Sequence, residues 1–377
     1  MPCAPPPERR FVRRLASLLL AAGFLVLAGP PARAAERALL QGLFDAELWK
    51  TDDGSAPLSR NEGDLAAQGR LRVWAAGDFG AGFEGFALEE IEAGKAEVDH
   101  GPTYELEQAY LRYSFRAPRR LVLEAGRLPA PIGNFSRRYF SSVNPLIGDP
   151  DAYQVSYPTG FQITGSGGRF DYRVAAVDLP LTNQNYVPAA GRALRPALAF
   201  GVTPTIGLRL GAYYTRGPYL NDKVSLPPGA GWEDFAQEIA GFDLQFSRGY
   251  FELNGDFNRS SYEVPGQARM SRGAAWFVEP KYTFSPRFFA ALRMEENDYA
   301  YIAPAGGGVW FARTVRFYDV EAGVGYRIGP GTVLKLSYRA DRWQVADSLK
   351  PFLPDGYAVA AQLSHTFDVG SWFKPRP

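Results

Sequence analysis

Ile328-Gly-Pro-Gly-Thr-Val-Leu-Lys-Leu-Ser-Tyr-Arg-Ala-Asp-Arg-Trp343 decides the fold. A turn rich in Gly and Pro leads into a strict alternation. Leu334, Leu336 and Tyr338 share one face, while Lys335, Ser337 and Arg339 share the other. A period of two is the signature of a strand with two unlike faces. Full charges on one face mean that this face meets water or other charges. Working outward, the split recurs. Leu71, Val73 and Phe79 alternate with Arg70, Arg72 and Asp78, and Phe251, Leu253 and Phe257 alternate with Glu252, Asn254 and Asp256. Sixteen such segments run from 38–49 to 356–368, including 103–115, 287–299 and 314–327.

A soluble sandwich also alternates, so the solvent on the apolar side needs other signals. The segments are about ten residues or longer, which suits tilted crossings of a hydrocarbon layer. The links between them alternate strictly between long and short. Short ones include Thr203-Pro204-Thr205 and Phe284-Ser285-Pro286; the longest is 130–158. Phe79, Phe115, Phe246, Phe284, Tyr326 and Phe367 end alternate strands in phase with the apolar face, as an aromatic girdle at one membrane interface would. In hydrocarbon an unpaired backbone group costs several kcal/mol, so the sheet has to close. The expectation is an all-β transmembrane antiparallel β-barrel of about 16 strands (about 14 to 18), with short periplasmic turns and long extracellular loops. A ring of that size is too wide for side chains to fill and leaves an aqueous lumen.

Residues 1–34 read as a secretory signal peptide: Arg9, Arg10, Arg13 and Arg14 precede an apolar run from Leu15 to Gly29, then the cleavage pattern Ala32-Arg33-Ala34. Residues 35–377 form the barrel. Cys3 leaves with the signal, so no thiol and no cysteine metal ligand is expected in the mature chain. With 41 Lys plus Arg against 40 Asp plus Glu, there is no basic field for nucleic acid. The two histidines, His100 and His365, give little material for catalysis, and no local Ser/His/Asp pattern stands out. Glu295-Glu296 and the pair Asp149 and Asp151 read as solvated charge. Gly165-Ser-Gly-Gly168 and Gly306-Gly-Gly308 read as turn glycines. No catalytic residue, metal or cofactor is expected. Pro280 interrupts the ladder inside one strand, where a bulge or register break is expected.

Three segments resemble the sixteen-stranded Gram-negative outer-membrane porins, and among them the phosphate-selective O and P type. They are Glu107-Gln-Ala-Tyr-Leu-Arg-Tyr-Ser-Phe115, Leu123-Glu-Ala-Gly-Arg-Leu-Pro-Ala-Pro-Ile-Gly-Asn-Phe135 and Gly241-Phe-Asp-Leu-Gln-Phe-Ser-Arg-Gly-Tyr-Phe-Glu-Leu253. The resemblance implies a channel in the bacterial outer membrane, trimeric or monomeric, whose third long loop folds inward; 130–158 is the candidate. Such chains end on an aromatic residue read by the barrel-assembly machinery, whereas this one continues past Phe367 through Trp372 and Phe373 to Pro377.

Parity places Arg70, Arg72, Arg112, Arg169, Arg173, Arg209, Lys281, Arg293, Arg327, Lys335 and Arg339 on the inner face. The same parity places Asp45, Glu47, Asp78, Glu124, Asp171, Asp243, Glu252, Asp256, Glu279, Glu295, Asp319, Glu321 and Asp341 there. The signs nearly balance, which reads as weak selectivity. Arg127, with Arg70, Arg72, Arg112, Arg173, Arg209, Arg293 and Arg339, is expected to line the pore. Arg137 and Arg138 are expected to face Asp149 and Asp151 across the constriction. The expected function is passive diffusion of small hydrophilic solutes or anions. The expected partners are outer-membrane lipid, the barrel-assembly machinery and possible copies of itself in a homotrimer. A non-conducting barrel that serves as an anchor or adhesion scaffold through its loops is the alternative.

Overall fold

In the computed structural model, sixteen antiparallel strands close into one barrel in chain order. It describes residues 38–55, 57–94, 102–115, 120–151, 156–178, 193–220, 224–306 and 309–369. The strands are β1 (Ala38–Thr51), β2 (Ala66–Gly80), β3 (Phe83–Gly94), β4 (Thr103–Ser114), β5 (Arg120–Arg127), β6 (Thr159–Gly167), β7 (Phe170–Val177) and β8 (Arg195–Thr205). They continue as β9 (Leu208–Pro218), β10 (Ala236–Arg248), β11 (Phe251–Tyr262), β12 (Ser271–Thr283), β13 (Phe288–Gly306), β14 (Val309–Gly329), β15 (Thr332–Gln344) and β16 (Gly356–Asp368). Closure is made by β1 and β16, paired from Gln41↔Asp368 to Thr51↔Ala358. Each expected segment is a strand. The signal sequence, His100 and the tail with Trp372 and Phe373 lie outside the described residues.

Burial settles which solvent each face meets. Large apolar side chains are exposed: Leu48 51%, Phe200 51%, Leu336 52% and Phe242 58%. Charged ones are buried: Asp45, Glu279 and Arg293 are fully covered. A soluble sandwich buries the opposite set. The outer face is therefore an apolar belt, and the inner face is a polar lining held by cross-strand ion pairs. Phe79, Phe115, Phe284 and Tyr326 are exposed on that belt at the short-turn end, where the girdle was expected; Phe246 and Phe367 are half-buried there.

The structure corrects four local expectations. First, β13 and β14 extend far beyond 287–299 and 314–327, so only residues 307–308 separate them and the seventh link is not a long loop. Second, Pro280 causes no bulge. Its pairing Leu253↔Pro280 keeps the β11 register, and on the β13 side the ladder skips Glu279 and Pro280 without shifting, from Val278↔Met294 to Lys281↔Ala291. The missing donor costs hydrogen bonding at one point, which is cheaper than sliding a whole strand and turning every side chain to the wrong face. Third, a bulge does occur in β4, where Leu88↔Gln108 is followed by Glu89↔Leu106. Glu107 is the extra residue, and beyond it the parity of β4 reverses. Fourth, Arg169 sits in the turn between β6 and β7 and is exposed.

Candidate functional site

The longest link, L3 (residues 128–158), crosses the lumen. Its first limb is drawn to the wall near β7 and β10: Arg173 Nη1 donates to the Pro131 carbonyl at 2.7 Å, and Asn134 Nδ2 donates to Asp243 at 3.4 Å. Gly133 has φ +66, and a Cβ there would stand 2.9 Å from Asp256 Oδ2, so only glycine permits this approach to β11. A single 3-10 turn, Phe135–Arg137, follows. Phe135 then packs on Phe277 of β12 at 6.3 Å between ring centroids.

The middle of L3 is gripped from opposite sides. On one side Tyr139 Oη donates to Glu107 at 2.9 Å, Phe140 stacks on Trp74 at 5.5 Å, and Ser141 Oγ donates to Asp45 at 2.5 Å. Across the lumen, Lys335 Nζ donates to the carbonyls of Asn144 and Leu146, each at 3.0 Å. The N–H groups of Ile147 and Gly148 both donate to Glu321 Oε1 at 3.1 Å. Arg293 donates to the Gly148 carbonyl at 2.7 Å and to Asn144 Oδ1 at 3.2 Å, while pairing with Glu279 at 2.5 Å and Glu321 at 3.3 Å. Arg339 joins Asp151 at 2.8 Å to Asp319 at 2.6 Å. A Cβ at Gly148 would meet Glu321 Oε2 at 2.8 Å. L3 is thus a strap with fixed ends, held by buried charges of β12 to β15 on one side and by β1, β2 and β4 on the other.

The strap divides the lumen. Toward the long-loop side lies a chamber of about 810 Å³. Among the described residues its lining carries eight carboxylates, Glu47, Asp53, Glu62, Glu90, Glu105, Glu107, Asp149 and Asp151, against four guanidinium groups, Arg60, Arg70, Arg72 and Arg339. Toward the short-turn side a second chamber of about 400 Å³ is lined by Arg138, Arg209, Lys281 and Glu252 among its charges.

The expected site residues distribute as follows. Arg70 pairs with Glu47, Glu90 and Glu92, and Arg72 with Glu90 and Glu107; both arginines face the first chamber. Arg127 pairs with Glu105 at 2.5 Å. Arg209 bridges Asp171 and Asp243. Arg112 pairs with Glu124 and borders a smaller cavity beside Asp78 and Glu84. Two expectations are corrected. Arg293 is fully buried and Arg173 nearly so; both bind L3 from behind and do not line an open passage. Arg138 does not face Asp149 and Asp151. The buried carboxylate of Glu279 holds it at 2.6 Å on the short-turn face of the strap, while both aspartates look into the other chamber. The side chain of Arg137 lies outside the described set.

The near balance of charge is also corrected. Glu84, Glu90 and Glu92 pair with inward groups of β2 and β4, and Glu105 and Glu107 face inward because of the β4 bulge. The lining is acidic. Asp151, Glu295 and Asp319 bring carboxylate oxygens within 4.8 Å of one another. The Arg339 guanidinium contacts all three and supplies the countercharge.

Burial raises the Asp149 carboxyl above its usual range, with Arg293 opposing the shift. The folded state therefore holds this proton more tightly than the unfolded chain. Asp149 weakens docking of the strap at neutral pH, and this cost disappears as pH falls through the raised value. Asp149→Asn should raise the unfolding temperature more near pH 7 than at an acidic pH below the raised value, read by the gel shift of heat-denatured barrel. An equal difference at both pH values would contradict this.

No family model and no curated protein matches the chain. Solved structures do. An anion-selective porin from Comamonas acidovorans superposes with TM-score 0.59 at 10% identity, over 88% of this chain and 99% of that one. OmpT of Vibrio cholerae gives 0.57 at 9% identity, over 88% and 97%. OmpF of Salmonella typhi, in a complex with daunomycin, gives 0.57 at 11% identity, also over 88% and 97%. At these identities the likeness establishes a porin-like sixteen-stranded barrel fold.

Proposed function

We propose that this protein is a passive channel of the bacterial outer membrane, in which L3 narrows a water-filled lumen that small hydrophilic solutes cross. The observation that carries the reading is the strap itself: a wide, charge-lined lumen crossed by a loop that buried ion pairs hold between two chambers. No enzymatic step is part of it. The apolar belt takes outer-membrane lipid, the barrel-assembly machinery inserts the chain, and copies assemble as a homotrimer. Neither the phosphate selectivity of the O and P type nor the anion selectivity named for the Comamonas porin is carried over, because the larger chamber is lined by an excess of carboxylates. Liposomes containing the purified barrel should swell in small neutral sugars and stop swelling as sugar size rises. Failure to swell in any sugar, with the barrel folded, would sink the reading.

One observation favours a second reading. L3 touches the wall on opposite sides, at Asp45, Trp74 and Glu107 and at Glu321, Lys335 and Arg339. A strap that seals the lumen would make a non-conducting scaffold whose loops are the working part.

Both readings place the long links outside the cell and the short turns in the periplasm. Cysteine at exposed Ser225 should react with an impermeant thiol reagent on whole cells, and cysteine at exposed Ser285 should not. The reverse pattern would invert the topology. Ser55 is a poor probe because it is buried and donates to Asp341.

A further inference from the structure

We infer that the channel is a charge-asymmetric rectifier that favours small cations entering from the long-loop side. The inference rests on the channel reading and gives it a solute class and a direction. The observation is the contrast between the two chambers on either side of L3. Among the described residues, the larger has twice as many carboxylates as guanidinium groups in its lining. Three of its arginines do not cancel this excess, because they are already shared among acids: Arg70 among Glu47, Glu90 and Glu92, Arg72 between Glu90 and Glu107, and Arg339 among Asp151, Glu295 and Asp319. The smaller chamber has no such excess. Its Arg138, Arg209 and Lys281 are matched by Glu279, by Asp171 and Asp243, and by Glu252.

Fixed negative charge concentrates mobile cations and excludes anions over a Debye length, about 30 Å at 0.01 M salt and about 3 Å at 1 M. In dilute salt the larger chamber is therefore cation-selective along its whole depth, while the smaller one passes both signs. When the long-loop side is positive, cations are driven through the selective chamber into one that carries them less exclusively. Ions then accumulate at the strap and conductance rises. With reversed polarity the strap region is depleted and conductance falls.

The test is single-channel recording of the full barrel in about 0.01 M and about 1 M KCl. Orientation is assigned by one-sided addition of an impermeant thiol reagent to a Ser225→Cys variant. In dilute salt the current with the long-loop side positive should exceed the opposite current by about two-fold or more, and the ratio should approach one in concentrated salt. A triple variant, Asp53→Asn, Glu62→Gln and Glu105→Gln, removes exposed carboxylates of the larger chamber that do not anchor L3. It should bring the dilute-salt ratio close to one, whereas Glu233→Gln, on an exposed site outside both chambers, should leave it unchanged. A conducting wild type with equal currents in dilute salt, or with the larger current at the opposite polarity, would overturn the rectifier and leave the channel reading intact. A folded barrel with no conductance would remove both.

Discussion

Deletion of residues 136–148 should raise unit conductance by about two-fold or more, because a sixteen-stranded ring is wide and the strap crosses it from one wall to the other. The deletion removes the L3 acceptors of Lys335 and Arg293 and leaves the wall partners of Arg293 in place. Arg293 keeps Glu279 and Glu321, so the barrel itself keeps these buried cross-strand pairs. The Ser141 bond to Asp45 and the Phe140 stack on Trp74 go with the loop, which opens both margins of the lumen at once. Equal conductance in the deleted and intact proteins, with both folded, would mean that ions travel by a route L3 does not control.

The second large effect belongs to Arg293. Its guanidinium is fully buried and is shared by Glu279, Glu321, the Gly148 carbonyl and Asn144 Oδ1. Removing one member of a buried ion pair leaves the other charge uncompensated, a loss of about 3–5 kcal/mol. Arg293→Leu takes from Glu321 its ion-pair partner, leaves Glu279 with Arg138 alone, and removes the bonds from the wall to Gly148 and Asn144 of L3. The expected result is a clearly lower temperature for the heat-induced gel shift, together with noisier and larger channel steps. Arg70→Leu, on a half-buried arginine whose ion pairs are all to wall strands and not to L3, should lower that temperature less. If Arg293→Leu melts and conducts like wild type, the strap is held by something other than this network.

The fold was legible because its two faces demand opposite side chains. Leu334, Leu336 and Tyr338 against Lys335 and Arg339 record the wall directly, residue by residue, and the same record repeats in strands such as β2 and β11. What escaped was where local geometry breaks the period. One extra residue, Glu107, turns the upper half of β4 around, so Glu105 looks outward by counting and faces inward in the structure. β3 alternates weakly, because Phe86 and Leu88 share its inner face with Glu84 and Glu90. These two strands hold the carboxylates that turn a balanced lining into an acidic one.

The site was half legible for a related reason. The length of 130–158 marked L3 as special, but a loop's sequence does not say which wall it will meet. Arg137 and Arg138 looked like partners for Asp149 and Asp151 because loop and wall were weighed separately. Glu279, on a strand more than a hundred residues away, claims Arg138. Lys335 and Arg293 read as inner-face charges, yet Lys335 donates to two L3 carbonyls and Arg293 to a third. An unpaired carbonyl inside the lumen needs a donor, and only the assembled barrel shows which charges are near enough to serve.

The most direct measurement of the central claim is single-channel recording of the intact protein in a planar bilayer at about 1 M KCl, where long-range fields are screened and only the passage matters. The account predicts discrete, reproducible conductance steps, smaller than those of the 136–148 deletion. A bilayer that stays sealed while the inserted protein is folded would contradict it and make L3 a plug.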